Sequence, residues 1–110
     1  MTTRNDRTVW IGLVEIATRP AQPSPLIGDA KGGFCKMLAW ARNVEEFKEQ
    51  VTKALNHYHL DFVDMEEVEP FADRENRIPM GKVLHRTAEE VEVTKMVRFF
   101  KTIHTFDNEE

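Results

Sequence analysis

Hydrophobic and polar positions change period twice between residues 34 and 71, and the two changes predict a strand, a helix and a second strand. The apolar run FCKMLAWA leads to Asn43, a favourable N-cap residue, with Glu46 three positions on in capping-box spacing. Val44, Phe47, Val51, Ala54, Leu55 and Tyr58 then recur at three- and four-residue steps, so they share one helix face. LDFVDMEEVEPF alternates with the short period of a strand and closes at Pro70. A strand, a helix and a strand in succession predict a right-handed crossover that leaves the two strands parallel in one sheet.

Upstream, TVWIGLVEIAT is rich in β-branched and aromatic residues and predicts a first strand. Val9, Ile11 and Leu13 take one face, and Trp10, Val14 and Ile16 the other. Residues 19–33 hold three prolines and three glycines and predict a flexible loop, closing a wide antiparallel hairpin. Downstream of Pro70 the chain turns polar, with a short strand expected at 82–85. A second helix is expected from Thr87, which has Glu90 three residues on, with Val93, Met96, Val97, Phe100 and Ile103 on its apolar face. Residues 106–110 are expected to fray.

These elements predict one α+β domain over residues 1–110, with a three- to four-stranded mixed sheet and two helices on one face. The order over residues 8–105 resembles a ferredoxin-like split β-α-β domain whose last strand has been moved to the N-terminus. That resemblance is one of architecture, and it implies no particular activity.

Composition narrows the field. The chain has 110 residues, 41% apolar and 31% charged, enough for a core without staples. Cys35 is the only cysteine and lies in an apolar run, which predicts a reduced, buried thiol and excludes a cysteine-rich zinc site. No apolar h-region opens the chain and no apolar stretch approaches bilayer length, so a cytoplasmic protein is expected. The net charge of −4 arises in the middle third, where residues 33–71 carry eight acidic and four basic side chains. An acidic domain repels phosphate backbones, which argues against nucleic acid as a partner.

Candidate chemistry is sparse. Ser24 is the only serine and lies between prolines, and GDAKGG matches neither the P-loop nor the dinucleotide fingerprint, so no cofactor is expected. His57, His59 and Asp61 have a spacing seen in metal-ligand runs, but they straddle the end of the first helix, where histidine is also favoured by the helix dipole. Asp64, Glu66, Glu67 and Glu69 follow on the strand. Strict alternation sends Asp64 and Glu66 to one face and Glu67 and Glu69 to the other, giving a charged edge for a basic protein partner. Arg74, Arg77, Lys82, His85 and Arg86 crowd before the second helix. An anion site there is opposed by Glu89 and Glu90 on that helix's expected first turn, so a solvated loop is expected. Trp10 and Trp40 lie on paired strands, and an uncovered tryptophan face would drive homodimerisation or partner binding. The reading is a small interaction module of unknown partner, inhibitor- or immunity-like and without catalysis of its own. The alternative is a small metal-dependent enzyme using His57, His59 and Asp61.

Overall fold

Both faces of the first strand are apolar, and helices cover both. The computed structural model describes residues 6–19 and 31–106. In order they form β1 (Thr8–Thr18), β2 (Gly32–Ala41), α1 (Val44–His57), β3 (Leu60–Pro70), α2 (Phe71–Arg77), α3 (Lys82–Thr94) and β4 (Arg98–Phe106). The fold is α+β, with a four-stranded sheet in the order β3-β1-β2-β4. Every neighbouring pair is antiparallel. β2 and β3 do run parallel, as the crossover predicts, but β1 lies between them. The sheet is therefore antiparallel throughout and not mixed.

The first hairpin forms as predicted, with Thr8 opposite Ala41 and Ala17 opposite Gly32. The Thr18 amide donates to the Lys31 carbonyl at 3.0 Å beside the connection. Most of the 19–33 loop, and the tail beyond Phe106, lie outside the described residues. The first helix also starts where the capping residues place it. Asn43 Oδ1 accepts from the Glu46 amide at 2.8 Å, while Glu46 Oε1 accepts from the Arg42 amide at 2.9 Å, one residue earlier than in a strict capping box.

The core is two clusters separated by the sheet. On one side Phe47, Val51 and Leu55 of α1 pack on Val14, Ile16, Met37 and Ala39, with Cys35 buried among them. On the other, Phe71 of α2 and Leu84, Ala88 and Val91 of α3 pack on Val9, Ile11 and Leu38. The helices thus lie on opposite faces, and the expectation of two helices on one face is corrected. The reason is visible in β1: a strand apolar on both sides needs cover on both sides.

Three further expectations fail after Pro70. Residues 71–77 form α2, a helix too short to show an apolar period. Residues 82–85 are the first turn of α3 and not a strand, because Leu84 starts a helical series with Ala88 and Val91. Thr87 is consequently interior, its hydroxyl donating back to the Val83 carbonyl at 2.9 Å, and it caps nothing. The helix ends at Thr94, with Lys95 in the left-handed region at φ 62° and its amide donating to the Val91 carbonyl at 2.7 Å. Residues 98–106, expected to extend that helix, instead form β4 against the outer edge of β2. Their aromatic and β-branched content suits a strand, and a pairing site was available.

At Gly12 the sheet and α1 approach closely. A Cβ there would stand 2.8 Å from Val68 Cγ2 and 3.1 Å from the Phe47 ring. Gly12→Ala is expected to cost about 1–3 kcal/mol by overpacking, read as a lower urea midpoint. Val51→Asp places an unpaired charge in the larger cluster and is expected to cost several kcal/mol, while the exposed Glu49→Ala changes stability by about a few tenths. Equal melting losses for Val51→Asp and Glu49→Ala would overturn the assignment of the buried face of α1.

Candidate functional site

The acidic strand does not alternate strictly. Ile11 stands opposite Glu69 and Leu13 opposite Glu66, so β3 spends one extra residue across that interval. It spends another between Asp64, opposite Glu15, and Phe62, opposite Ile16. Each is a β-bulge, and Glu67 at φ 56° marks the first. A bulge shifts the side-chain phase by one residue. Directly opposed residues on an antiparallel pair share a face. Asp61, Asp64, Glu66 and Glu69 stand opposite Ala17, Glu15, Leu13 and Ile11, and all therefore share the α2/α3 side of the sheet. The division of the acidic run between two faces is corrected: four carboxylates converge on one side, and Glu15 of β1 joins them.

They then meet different fates along that face. Asp61 is held by Arg19, whose Nε lies 2.8 Å from Oδ1 and whose Nη2 also donates to Asn56 Oδ1. Glu69 is held by two arginines of α2. Arg74 Nε donates to Glu69 Oε2 at 2.6 Å and its Nη2 donates to the Glu67 carbonyl, while Arg77 donates to both carboxylate oxygens at 2.5 and 3.0 Å. Arg74 is only 7% exposed, and among the described residues it is the one buried charged side chain. The hydrogen bonds from Arg77, then from Arg74, hold the Glu69 carboxyl down at about 2 against partial desolvation. Between these two anchored ends lie Glu15, Asp64 and Glu66. Among the described residues no cation pairs with any of the three. The apolar cluster under α3 stops at Ile11 and Leu38, and among the described residues no helix lies over this stretch of the sheet.

The histidines do not gather. His57 is exposed at the end of α1, its ring edge-on to Tyr58. His59 occupies the left-handed position after the helix at φ 62°, its amide donating to the Asn56 carbonyl at 3.1 Å. Asp61 faces Arg19. Among the described residues no group of three or more His, Cys, Asp or Glu side chains is placed to hold a metal ion. The tryptophans are also accounted for. Trp10 is half-buried on the α1 cluster, and Trp40 is half-buried on the α3 cluster with the Lys95 ammonium 3.8 Å from its ring centroid.

Beside the acidic stretch lies a groove of about 730 Å³ between the end of β3, α2 and the first turn of α3. Val68, Ile78, Met80 and Val83 supply apolar lining, and Lys36, Arg77 and Lys82 are among its charged groups. Of the basic residues singled out in the sequence, Arg74 and Arg77 bind Glu69, His85 Nε2 lies 3.2 Å from Glu75 Oε2, and Lys82 opens α3. Because α3 begins at Lys82, Glu89 and Glu90 stand well inside it and its first turn carries no acidic residue. The structural role of Arg74 escaped the sequence reading. Its one signal is the three-residue step from Phe71, which puts both on the buried side of a short helix.

No family model, no curated protein and no solved structure matches this chain.

The Glu69 cluster gives a signed acid response. A carboxyl depressed from 4.5 to about 2 contributes stability that is fully present above the ordinary value and is lost as pH falls from there toward 2. Wild type is therefore expected to exceed Glu69→Gln in urea midpoint above pH 5, with the gap closing steadily below about pH 4.5. A gap constant from pH 7 to pH 2.5 would show that the ionised carboxylate does not hold α2.

Proposed function

We propose that the chain is a small protein-interaction module without catalysis of its own, which binds a basic protein surface through Glu15, Asp64 and Glu66. One observation supports this most: Glu15, Asp64 and Glu66 share one face of the sheet, and none of the three has a cationic partner among the described residues. The two bulges of β3 turn Asp61 and Glu69 to the same face, and arginines hold both at the ends of that row. Like charges gathered on neighbouring strands raise the free energy of the isolated fold. A cationic partner relieves that repulsion and steers association. An inhibitor or immunity-type protein masking a basic effector fits this surface.

The same reading holds the partner to be a protein and not nucleic acid, since the net charge of −4 repels phosphate. It places the protein in the cytoplasm, consistent with its one buried cysteine. Among the described residues no helix is long and apolar enough to cross a membrane. A ferredoxin-like relation has in its favour the split unit β2-α1-β3 with β1 between its strands, and against it the helices on both faces and the central position of the N-terminal strand. Homodimerisation through a tryptophan face is the less favoured partner reading, since the half-buried Trp10 and Trp40 pack against helix-covered clusters. The metal-dependent alternative has Asp61 engaged by Arg19 and its histidines dispersed.

The test is affinity capture from the native host lysate with wild type and with the triple variant Glu15→Lys, Asp64→Lys, Glu66→Lys. Glu69 stays unchanged, because reversing it would release α2. The expected outcome is a basic protein captured by wild type, released by salt, and lost from a variant whose melt is unchanged or improved. Capture of the same protein by both forms would reject the acidic face as the binding surface.

A further inference from the structure

We propose that the groove between β3, α2 and the start of α3 binds a small amphipathic monoanion, a carboxylate head on an apolar body. Its volume of about 730 Å³ lies within the range of small-molecule sites, and its lining has the composition of one. Ile78 and Val83 are large apolar side chains left 47% and 51% exposed, and both line this groove. An apolar ligand body would take that surface out of water.

Charge complementarity selects the head group. Among the described residues Arg74, Arg77 and Lys82 line the groove with the carboxylates of Glu67 and Glu69, and Glu69 is already bound by Arg74 and Arg77. The remaining excess is positive, with Lys82 exposed on the rim. A cationic ligand would meet repulsion there. A polyanion would have to approach the Glu67 carboxylate, which also lines the groove. One negative charge is the best match. The first turn of α3 lies along the same rim with no side-chain cap on Gly81, which adds partial positive charge; the cavity and its cation excess carry the proposal. This surface neighbours the acidic face but is separate from it, so either can fail without the other.

The experiment is a ¹H–¹⁵N titration of the full chain with sodium octanoate at fixed ionic strength. Saturable shifts are expected at the amides of Val68, Met80 and Lys82, Val83 and Leu84. Octanol, with the same body and no charge, is expected to bind at least about tenfold more weakly, as is octanoate to Lys82→Glu. Ile78→Asn is expected to weaken octanoate through the apolar body. Residues 78 and 82 are exposed, and unchanged spectra away from the groove check that both variants fold. Equal affinity for octanol, equal affinity of Lys82→Glu, shifts centred outside the groove, or no saturable shift would each overturn the proposal.

Discussion

A strand that is paired along both edges and carries apolar side chains on both faces needs cover on both sides, and β1 imposes that condition on everything else. Its pairing with β2 and β3 satisfies the backbone. Its side chains then require two separate layers of cover, α1 against Val14 and Ile16 and α2 with α3 against Val9 and Ile11. The split of the core into two clusters follows directly. Each cluster is small, so single large side chains such as Phe47 and Leu84 matter more than they would in one pooled core.

Among the described residues α2 and α3 cover only part of the second face, and β3 changes character where they stop. Where α2 meets the sheet, the acidic residue is neutralised: Glu69 is clamped by two guanidinium groups, and the buried Arg74 ties the bulge carbonyl of Glu67 to the helix. Beyond α2, where among the described residues no helix covers the strand, Asp64 and Glu66 are exposed and Glu15 is half-buried. The bulges thus join an anchored carboxylate and an open row within one strand, which a regular ladder could not do with this sequence.

Legibility in the sequence tracked how local the determining interaction is. Asn43, Glu46 and the series Phe47, Val51, Leu55 fix α1 within a few residues of chain, and TVWIGLVEIAT carries its strand preference in its own side chains. The end of α3 depended instead on β2 having an unpaired edge for residues 98–106, which no window of sequence reports. Thr87 and Glu90 match a cap by spacing, yet Leu84, one turn earlier, found apolar surface under it and drew the helix start back to Lys82. The acidic site was legible in composition, and Asp64 and Glu66 share a face as strict alternation predicts, while Glu69 joins them only through the bulge. A bulge is set by how β3 fits β1 over Gly12 and Phe47, and the residues Asp64, Glu66 and Glu69 read the same with or without it.

The central position of β1 also has a kinetic side. The sheet grows outward from the first hairpin, since β1 and β2 are neighbours both in sequence and in space. Each edge strand joins only after a longer span of chain has been closed, β3 after α1 and β4 last, with Phe106 returning to Gly32. The entropy of closure rises with the span. The entropy of closure therefore weighs least on the β1–β2 hairpin and most on the pairing of the final strand.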